Sequence, residues 1–241
     1  MRKLFVPICA ALGAIGLVGT CLMVFTSTPS QWNWQPDQRH LILSTSSLFF
    51  NHKIFYWHVA HAIMLFVAVG VAGVASIAFL AKRDPRWDDV ALGAAEVAVA
   101  FGGVVLLTGS IWARAAWGVW WVWETRLTMS LLLWLTLVGY VLVRRFAGAS
   151  GERLAAGMAI FAMIGVPFIY VMVNADDHHP QAGPNGAAAT LDPRMRPAFY
   201  LSLLTFLFWF LALVALRVRS ARMEREVREL REHGLDAGLL S

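Results

Sequence analysis

The stretch "IFYWHVAHAIMLFVAVGVAGVASIAFLA", residues 54–81, contains no Asp, Glu, Lys or Arg, and a lysine bounds it on either side. A bilayer core about 30 Å thick is crossed by roughly 20 apolar residues in an α-helix. The stretch is long enough for one such crossing. It therefore predicts a transmembrane helix, and it sets the class of fold for the whole chain.

Five further apolar runs of about span length accompany it along the sequence. Hydrophobic residues make up 59% of the chain and charged residues only 15%, which is far from the composition of a soluble globular domain. The first run follows Arg2 and Lys3 and is expected to be a retained anchor rather than a cleaved signal peptide. The prediction is an all-α integral membrane protein with six transmembrane helices. The five runs cover residues 4–25, 90–112, 127–143, 154–173 and 198–216.

The distribution of Lys and Arg predicts the orientation, because short basic loops stay on the cytoplasmic side. With a cytoplasmic N-terminus, fourteen of the 20 Lys and Arg residues fall on the inner side. Both termini are then cytoplasmic. Residues 1–217 form the six-helix domain, and residues 218–241 form a charged helical tail. The net charge of +5 follows mostly from this topology, so nucleic-acid binding is not expected.

Several common chemistries lack their motif in the sequence. Cys9 and Cys21 lie on one predicted helix, about 18 Å apart at 1.5 Å per residue, and neither belongs to a CxxCH haem-attachment motif. No GxxxxGK[ST] nucleotide loop occurs. Work driven by ATP would therefore need another subunit.

Histidine and tryptophan concentrate on the predicted outer side. An aromatic belt decorates both interfaces of a membrane protein, whereas here eight tryptophans are outer and Trp87 alone is inner. The bias favours a ligand site over a belt. The outer histidines are His40, His52, His58, His61, His178 and His179, and the outer tryptophans are Trp32, Trp34, Trp57, Trp112, Trp117, Trp120, Trp121 and Trp123.

The segment "WGVWWVWETRLT", residues 117–128, is the densest part of this outer set. If it is helical, Trp117, Trp120, Trp121 and Glu124 fall on one stripe at i, i+3, i+4 and i+7. We expect a tryptophan-rich surface helix with a flat aromatic face. Such a face could anchor in lipid or bind a planar apolar ligand, and the pattern leaves both open.

Two histidine stretches indicate what the ligand is. His58 and His61 lie one turn apart at the start of the second span, and "NADDHHPQAG", residues 174–183, places His178 and His179 after two aspartates. Haem takes axial imidazoles and stacks on aromatic rings, so histidines on either side of the tryptophans suit it. A zinc site built from Asp-Asp-His-His and His58, His61 or Glu124 is the rival. It would leave the clustered tryptophans unexplained.

The segment "GSIWARAAWGVWWVWETRLT", residues 109–128, resembles the tryptophan-rich signature of the haem-handling proteins of cytochrome c maturation, and the six-helix layout is similar to the CcmC family. The family's Arg-Ile-x-Tyr-x-His motif corresponds to residues 53–58, with Lys53 in place of Arg. The resemblance implies that His58 and His179, rather than His178, are the axial ligands. Here the chain departs from the family, because Asn174 to Asp177 replace the expected aromatic and threonine, and Glu124 replaces the usual aspartate.

The resemblance implies a non-covalent, b-type haem held at the periplasmic face of the cytoplasmic (inner) membrane. The chain would pass it to a haem chaperone of the CcmE type and would not itself be an enzyme. Its implied partners are an ATPase of the CcmA type, a membrane subunit of the CcmB type and a one-helix subunit of the CcmD type. The implied haem-binding residues are His58, His179, Trp112, Trp117, Trp120, Trp121, Trp123, Glu124, Arg126 and Lys53.

Two other functions stay open at this point. A haem lyase that joins haem to apocytochrome shares the tryptophan signature but has more spans and a larger outer domain. A transmembrane haem permease would need polar groups inside the membrane, and Glu96 in the third span is the residue that favours it. A paired structural carboxylate is the equal alternative for Glu96.

Overall fold

Six α-helices form the fold in the part of the chain that the computed structural model describes, residues 2–28, 48–148, 151–172, 191 and 193–237. Each is long and apolar enough to cross a membrane, and the described residues contain no β-strand. The predicted fold class and the six spans are therefore confirmed. The helices are α1 (Arg2–Thr26), α2 (Leu48–Lys82), α3 (Pro85–Trp117), α4 (Thr125–Phe146), α5 (Gly151–Met172) and α6 (Arg196–Asp236).

Local sequence explains the sharp turn between α2 and α3. Asp84 caps α3 by accepting a hydrogen bond from the backbone N–H of Arg86 at 2.9 Å, and Pro85 opens the helix. Proline suits this position because its missing N–H would have no partner in the first turn. Two residues therefore separate the helices, which forces α2 and α3 to pack as antiparallel neighbours.

The helices pack closely around α2, α3 and α6. In a bilayer the hydrophobic effect does not drive helices together, so small residues that allow close approach become important. Gly102 of α3 is one, because a Cβ there would lie 2.5 Å from Cδ1 of Trp134. The same indole donates its N–H to the carbonyl of Val99 at 3.0 Å, which fixes α4 against α3.

Lys53 at the start of α2 joins that helix to the end of α1. Its Nζ donates to the carbonyl of Val24 at 2.5 Å and to the hydroxyl of Thr28 at 2.6 Å, so it caps the last carbonyls of α1. The C-terminus of α1 thus lies at the end of the bundle that carries His58, which we call the histidine end. Since neighbouring helices alternate in direction, the N-terminus of α1 and the C-terminus of α6 lie at the opposite end.

That opposite end, the ion-pair end, is held by contacts between carboxylates of α3 and arginines of two other helices. The tightest joins Asp88 to Arg144 at 2.6 Å, with only 7% of each side chain exposed. Buried ion pairs of this kind favour one packing arrangement over alternatives, because either charge alone is costly to bury. The three pairs are Asp88 with Arg144, Asp89 with Arg225 and Glu96 with Arg217.

Helix α6 is continuous from Arg196 to Asp236. The predicted domain boundary after residue 217 falls inside it, and the charged tail is helical as far as Asp236. Ala221 is buried and Arg225 contacts Asp89, so the first turns of the tail pack on the bundle. That residues 218–241 form a separate cytoplasmic domain stays a prediction.

Candidate functional site

His58 is the centre of the candidate site at the histidine end. It lies on α2 facing α3, and only 9% of the residue is exposed. Its Nδ1 lies 3.0 Å from the hydroxyl oxygen of Thr108. A Cβ at Gly109 would lie 3.0 Å from Cε1 of the ring, so the imidazole lies against α3 where glycine leaves room for it.

The rings of Trp112 and Trp117 follow one another next to the His58 imidazole. The indole of Trp112 lies 6.0 Å from the imidazole between centroids, tilted by 53°, and Trp117 lies 6.1 Å beyond it at 39°. Trp112 is 8% exposed. These distances are within the range of favourable aromatic contacts, so the three rings form a nearly continuous apolar surface at the ends of α2 and α3.

The tryptophan segment is not the helix that its spacing predicted. Helix α3 ends at Trp117 because Gly118 adopts a left-handed conformation (φ 79°) and its N–H bonds back to the carbonyl of Arg114. Glycine reaches this conformation without a steric penalty and commonly ends helices. Residues 118–124 then run without helical structure to α4. The predicted stripe of Trp117, Trp120, Trp121 and Glu124 therefore does not exist.

The tryptophans after Gly118 form a second aromatic group. Trp121 and Trp123 contact edge to face at 6.0 Å, and the Arg114 guanidinium lies over the Trp120 ring at 6.0 Å. Trp120 is 61% exposed and Trp123 is 76% exposed. Burial of such rings on a planar apolar partner is favourable, so this group offers a docking surface beside the buried rings.

Glu124 and Arg126 connect this segment to α4. Glu124 is the N-cap of α4, and its carbonyl accepts from the N–H of Thr128 at 2.9 Å. Arg126 follows in the first turn, within electrostatic range of the His58 imidazole. A guanidinium in this position can pair with a carboxylate of a bound ligand.

Three other predicted or considered residues have their own partners. Lys53 donates to the carbonyl of Val24 and to the hydroxyl of Thr28 at the end of α1, and its role in the haem site stays a prediction. His61 packs between Phe101 and Phe206, with ring centroids at 5.1 and 4.0 Å, and its Nδ1 lies 2.7 Å from the carbonyl of Trp57. Glu96 pairs with Arg217 at 2.5 Å, which is the structural interpretation of that carboxylate.

The second predicted ligand cannot be compared with this geometry. His178 and His179, with Asp176 and Asp177 beside them, lie outside the described residues. Among the residues that are described, no group of three or more His, Cys, Asp or Glu is placed to hold a metal ion. Most of the ligands that the rival zinc site would need, Asp176, Asp177, His178 and His179, lie outside the described residues.

Sequence reasoning missed Thr108 and Gly109. They lie 50 and 51 residues from His58 along the chain, and only the pairing of α2 with α3 brings them to the ring. A weak signal was present, because Thr108, Gly109 and Trp112 fall within about one turn of a helix.

The fold and site define a class: a multi-pass helical membrane protein with a buried imidazole and a tryptophan-rich connection at one edge of the bundle. The family model described as "Heme exporter protein C" (CcmC) matches residues 2–233. The chain belongs to this family, which confirms the resemblance read from residues 109–128.

Individual relatives agree with the family match. Heme exporter protein C of Bradyrhizobium diazoefficiens is 31% identical over 182 residues, which cover 74% of this chain and 69% of that protein. The protein of the same name from Escherichia coli K12 is 29% identical over 188 residues, covering 74% and 73%. A ccmC-like mitochondrial protein of Marchantia polymorpha, named for cytochrome c biosynthesis, is 29% identical over 124 residues, or 52% and 53% of the two chains.

Proposed function

We propose that this chain binds haem at the periplasmic face of the cytoplasmic membrane and delivers it to a periplasmic haem chaperone of the CcmE type. Membership of the Heme exporter protein C family supports a role in haem delivery for cytochrome c maturation. The observation that carries the specific site is the buried His58 imidazole, held between Gly109 and the Trp112 ring.

The chemistry of the described residues fits haem as cargo. His58 supplies one axial nitrogen, and the buried ring of Trp112 and the half-buried ring of Trp117 line an apolar edge next to it. The exposed rings of Trp120 and Trp123 give a planar macrocycle an apolar surface to cover. Arg126 provides a positive charge for a propionate.

The second ligand in this proposal is His179, supplied by the loop after α5. Two imidazole nitrogens hold a haem iron without a covalent bond to the protein, which makes the haem b-type. A histidine from the chaperone can replace one of them, because each Fe–N bond is separately exchangeable. Release of the cargo then needs no unfolding of the helical bundle.

The proposed orientation of the protein in the membrane follows from the distribution of its basic residues. The basic residues of the loop between α2 and α3, of the end of α4 and of the tail all lie at the ion-pair end, and positive segments are retained in the cytoplasm. The histidine end then faces the periplasm, across the inner membrane from the ATP supply. This agrees with partners of the CcmA, CcmB and CcmD types, among which the CcmA type would hydrolyse ATP.

The test is an absorption spectrum of the purified full-length protein loaded with haem, oxidised and reduced. We expect a low-spin, bis-histidine spectrum for the wild type and a high-spin or haem-free spectrum for His58→Ala and His179→Ala. His61→Leu is the matched control, because it removes an imidazole one turn away on α2 and keeps an apolar side chain between Phe101 and Phe206. Unchanged haem binding in His58→Ala would contradict the proposal.

A further inference from the structure

We infer that Thr108 is a positioning residue for His58: its hydroxyl accepts the Nδ1–H of the imidazole and so leaves Nε2 as the nitrogen that can bind iron. The inference rests on the proposed haem site for its functional meaning. The hydrogen-bond geometry that carries it is independent of any ligand.

The direction of each hydrogen bond follows from counting protons. The Thr108 hydroxyl oxygen lies 2.7 Å from the carbonyl of Val104 and 3.0 Å from Nδ1 of His58. A carbonyl can only accept, and a hydroxyl has one proton to donate. The hydroxyl therefore donates to Val104, and the contact with His58 is donated by Nδ1–H.

The protonation state of the ring follows from its surroundings. The imidazole is 9% exposed, and an isolated positive charge is costly to bury in such a place. The ring is therefore neutral and carries one N–H. With that proton on Nδ1, the lone pair is on Nε2.

The ring is also fixed in orientation. Gly109 brings the α3 backbone against one side of it, and Trp112 lies near it one turn further on. Thr108 precedes Gly109 directly, so the hydrogen bond and the close approach come from adjacent residues of one helix. A partner on the second nitrogen of a ligating histidine typically strengthens metal binding, and its removal costs about 10- to 100-fold in affinity.

His61 shows why Thr108 can be tested by substitution. The Nδ1 of His61 also faces an acceptor, but that acceptor is the backbone carbonyl of Trp57, which no side-chain replacement removes. At His58 the acceptor on Nδ1 is a side chain, the Thr108 hydroxyl, while the backbone carbonyl of Val105 also interacts with the ring. Thr108→Val keeps the shape of the residue and removes only the hydroxyl.

Three variants of the full-length protein make the comparison. Thr108→Val deletes the acceptor, and Thr108→Ser restores a hydroxyl. Thr136→Val is the matched control, since the Thr136 hydroxyl makes the same kind of bond to the carbonyl of Leu132 at 2.8 Å on the exposed face of α4. Thermal unfolding verifies that each variant is folded.

The first measurement uses haem-free protein. Nitrogen-15 NMR of labelled histidine, with the His58 signals assigned by their absence in His58→Gln, reports which ring nitrogen carries the proton. We expect Nδ1–H in the wild type, in Thr108→Ser and in Thr136→Val, and a shift toward Nε2–H in Thr108→Val. An Nε2–H ring in the wild type would overturn the inference even if haem binds at His58.

The second measurement is a haem titration followed by absorption. We expect Thr108→Val to bind haem about 10- to 100-fold more weakly with a larger high-spin fraction, and Thr108→Ser and Thr136→Val to match the wild type. Wild-type affinity and spectrum in Thr108→Val would overturn the positioning role. Haem binding that does not depend on His58 would instead overturn the proposed function, while the NMR result would stand.

Discussion

At the ion-pair end of α3, carboxylates contact arginines of α4 and α6, whereas at the histidine end the same helix presents a hydroxyl, a glycine and an indole to the His58 imidazole. Buried charge pairs discriminate strongly against a wrong packing partner. Neutral hydrogen bonds are weaker and leave a nitrogen lone pair available. One end of α3 thus fixes the bundle, and the other leaves a ring nitrogen available to the proposed ligand.

The largest loss of stability is expected when the most buried ion pair is broken. Asp88→Ala leaves the Arg144 guanidinium without its closest carboxylate in a site where 7% of the side chain is exposed. Losing one partner of a buried pair costs about 3–5 kcal/mol. We expect a much lower midpoint of thermal unfolding in detergent.

The control for Asp88→Ala is Arg222→Ala. Arg222 pairs with Glu226 one turn away, and more than half of its side chain is exposed. Such exposed pairs contribute about 0–1 kcal/mol. Equal midpoints for Asp88→Ala and Arg222→Ala would remove the contrast between the two ends.

A smaller effect, on haem affinity rather than on stability, is expected when an exposed tryptophan ring is removed. Trp123→Ala removes a ring that is 76% exposed, so the unfolding midpoint should hardly change. Loss of an aromatic contact with haem corresponds to about 0.5–1.5 kcal/mol, or roughly two- to tenfold in affinity. A haem titration measures this directly.

Phe146 is the matched control for Trp123. It is also 76% exposed but lies at the ion-pair end, at the close of α4. Phe146→Ala should leave haem affinity unchanged. If both variants bind haem equally well, the exposed tryptophans serve another purpose, such as anchoring in lipid.

The smallest change in stability is expected when the Glu96 carboxylate is replaced. Its side chain and that of Arg217 are 25% and 35% exposed, and partly exposed pairs contribute about 0.2–1 kcal/mol. Glu96→Gln keeps the shape and loses the charge. We expect a small shift in unfolding midpoint and an unchanged haem spectrum. A block in haem delivery by folded Glu96→Gln would favour the permease function instead.

The fold was predictable because its determinant is local. The length and hydropathy of each apolar run predict a span. Lys53 and Lys82, which bound residues 54–81 in the sequence, also bound the span in the structure. Lys53 shows the limit of that reasoning, because its position before His58 gives no indication of its partners, the carbonyl of Val24 and the hydroxyl of Thr28. A partner 29 residues away is set by packing and not by local pattern.

The site was predictable only in part for the same reason. Residue type indicated His58 and the tryptophans as candidates, which stay a prediction, and their arrangement depended on where α3 ends. Gly118 carried that signal, since glycine directly after a helical run commonly ends the helix. Counting the tryptophans as one helical stripe overlooked it. Thr108 was not predictable, because its role exists only across the pairing of α2 with α3.

The continuity of α6 has a mechanical consequence. Between Ala198 and His233 the helix contains neither glycine nor proline, so it has no ready point of bending. Its tail extends about 30 Å beyond Arg217 at 1.5 Å per residue. Near its other end, the Ser202 hydroxyl donates to the carbonyl of Tyr56, two residues before His58. One uninterrupted helix therefore joins the charged tail at the ion-pair end to the backbone of α2 beside His58.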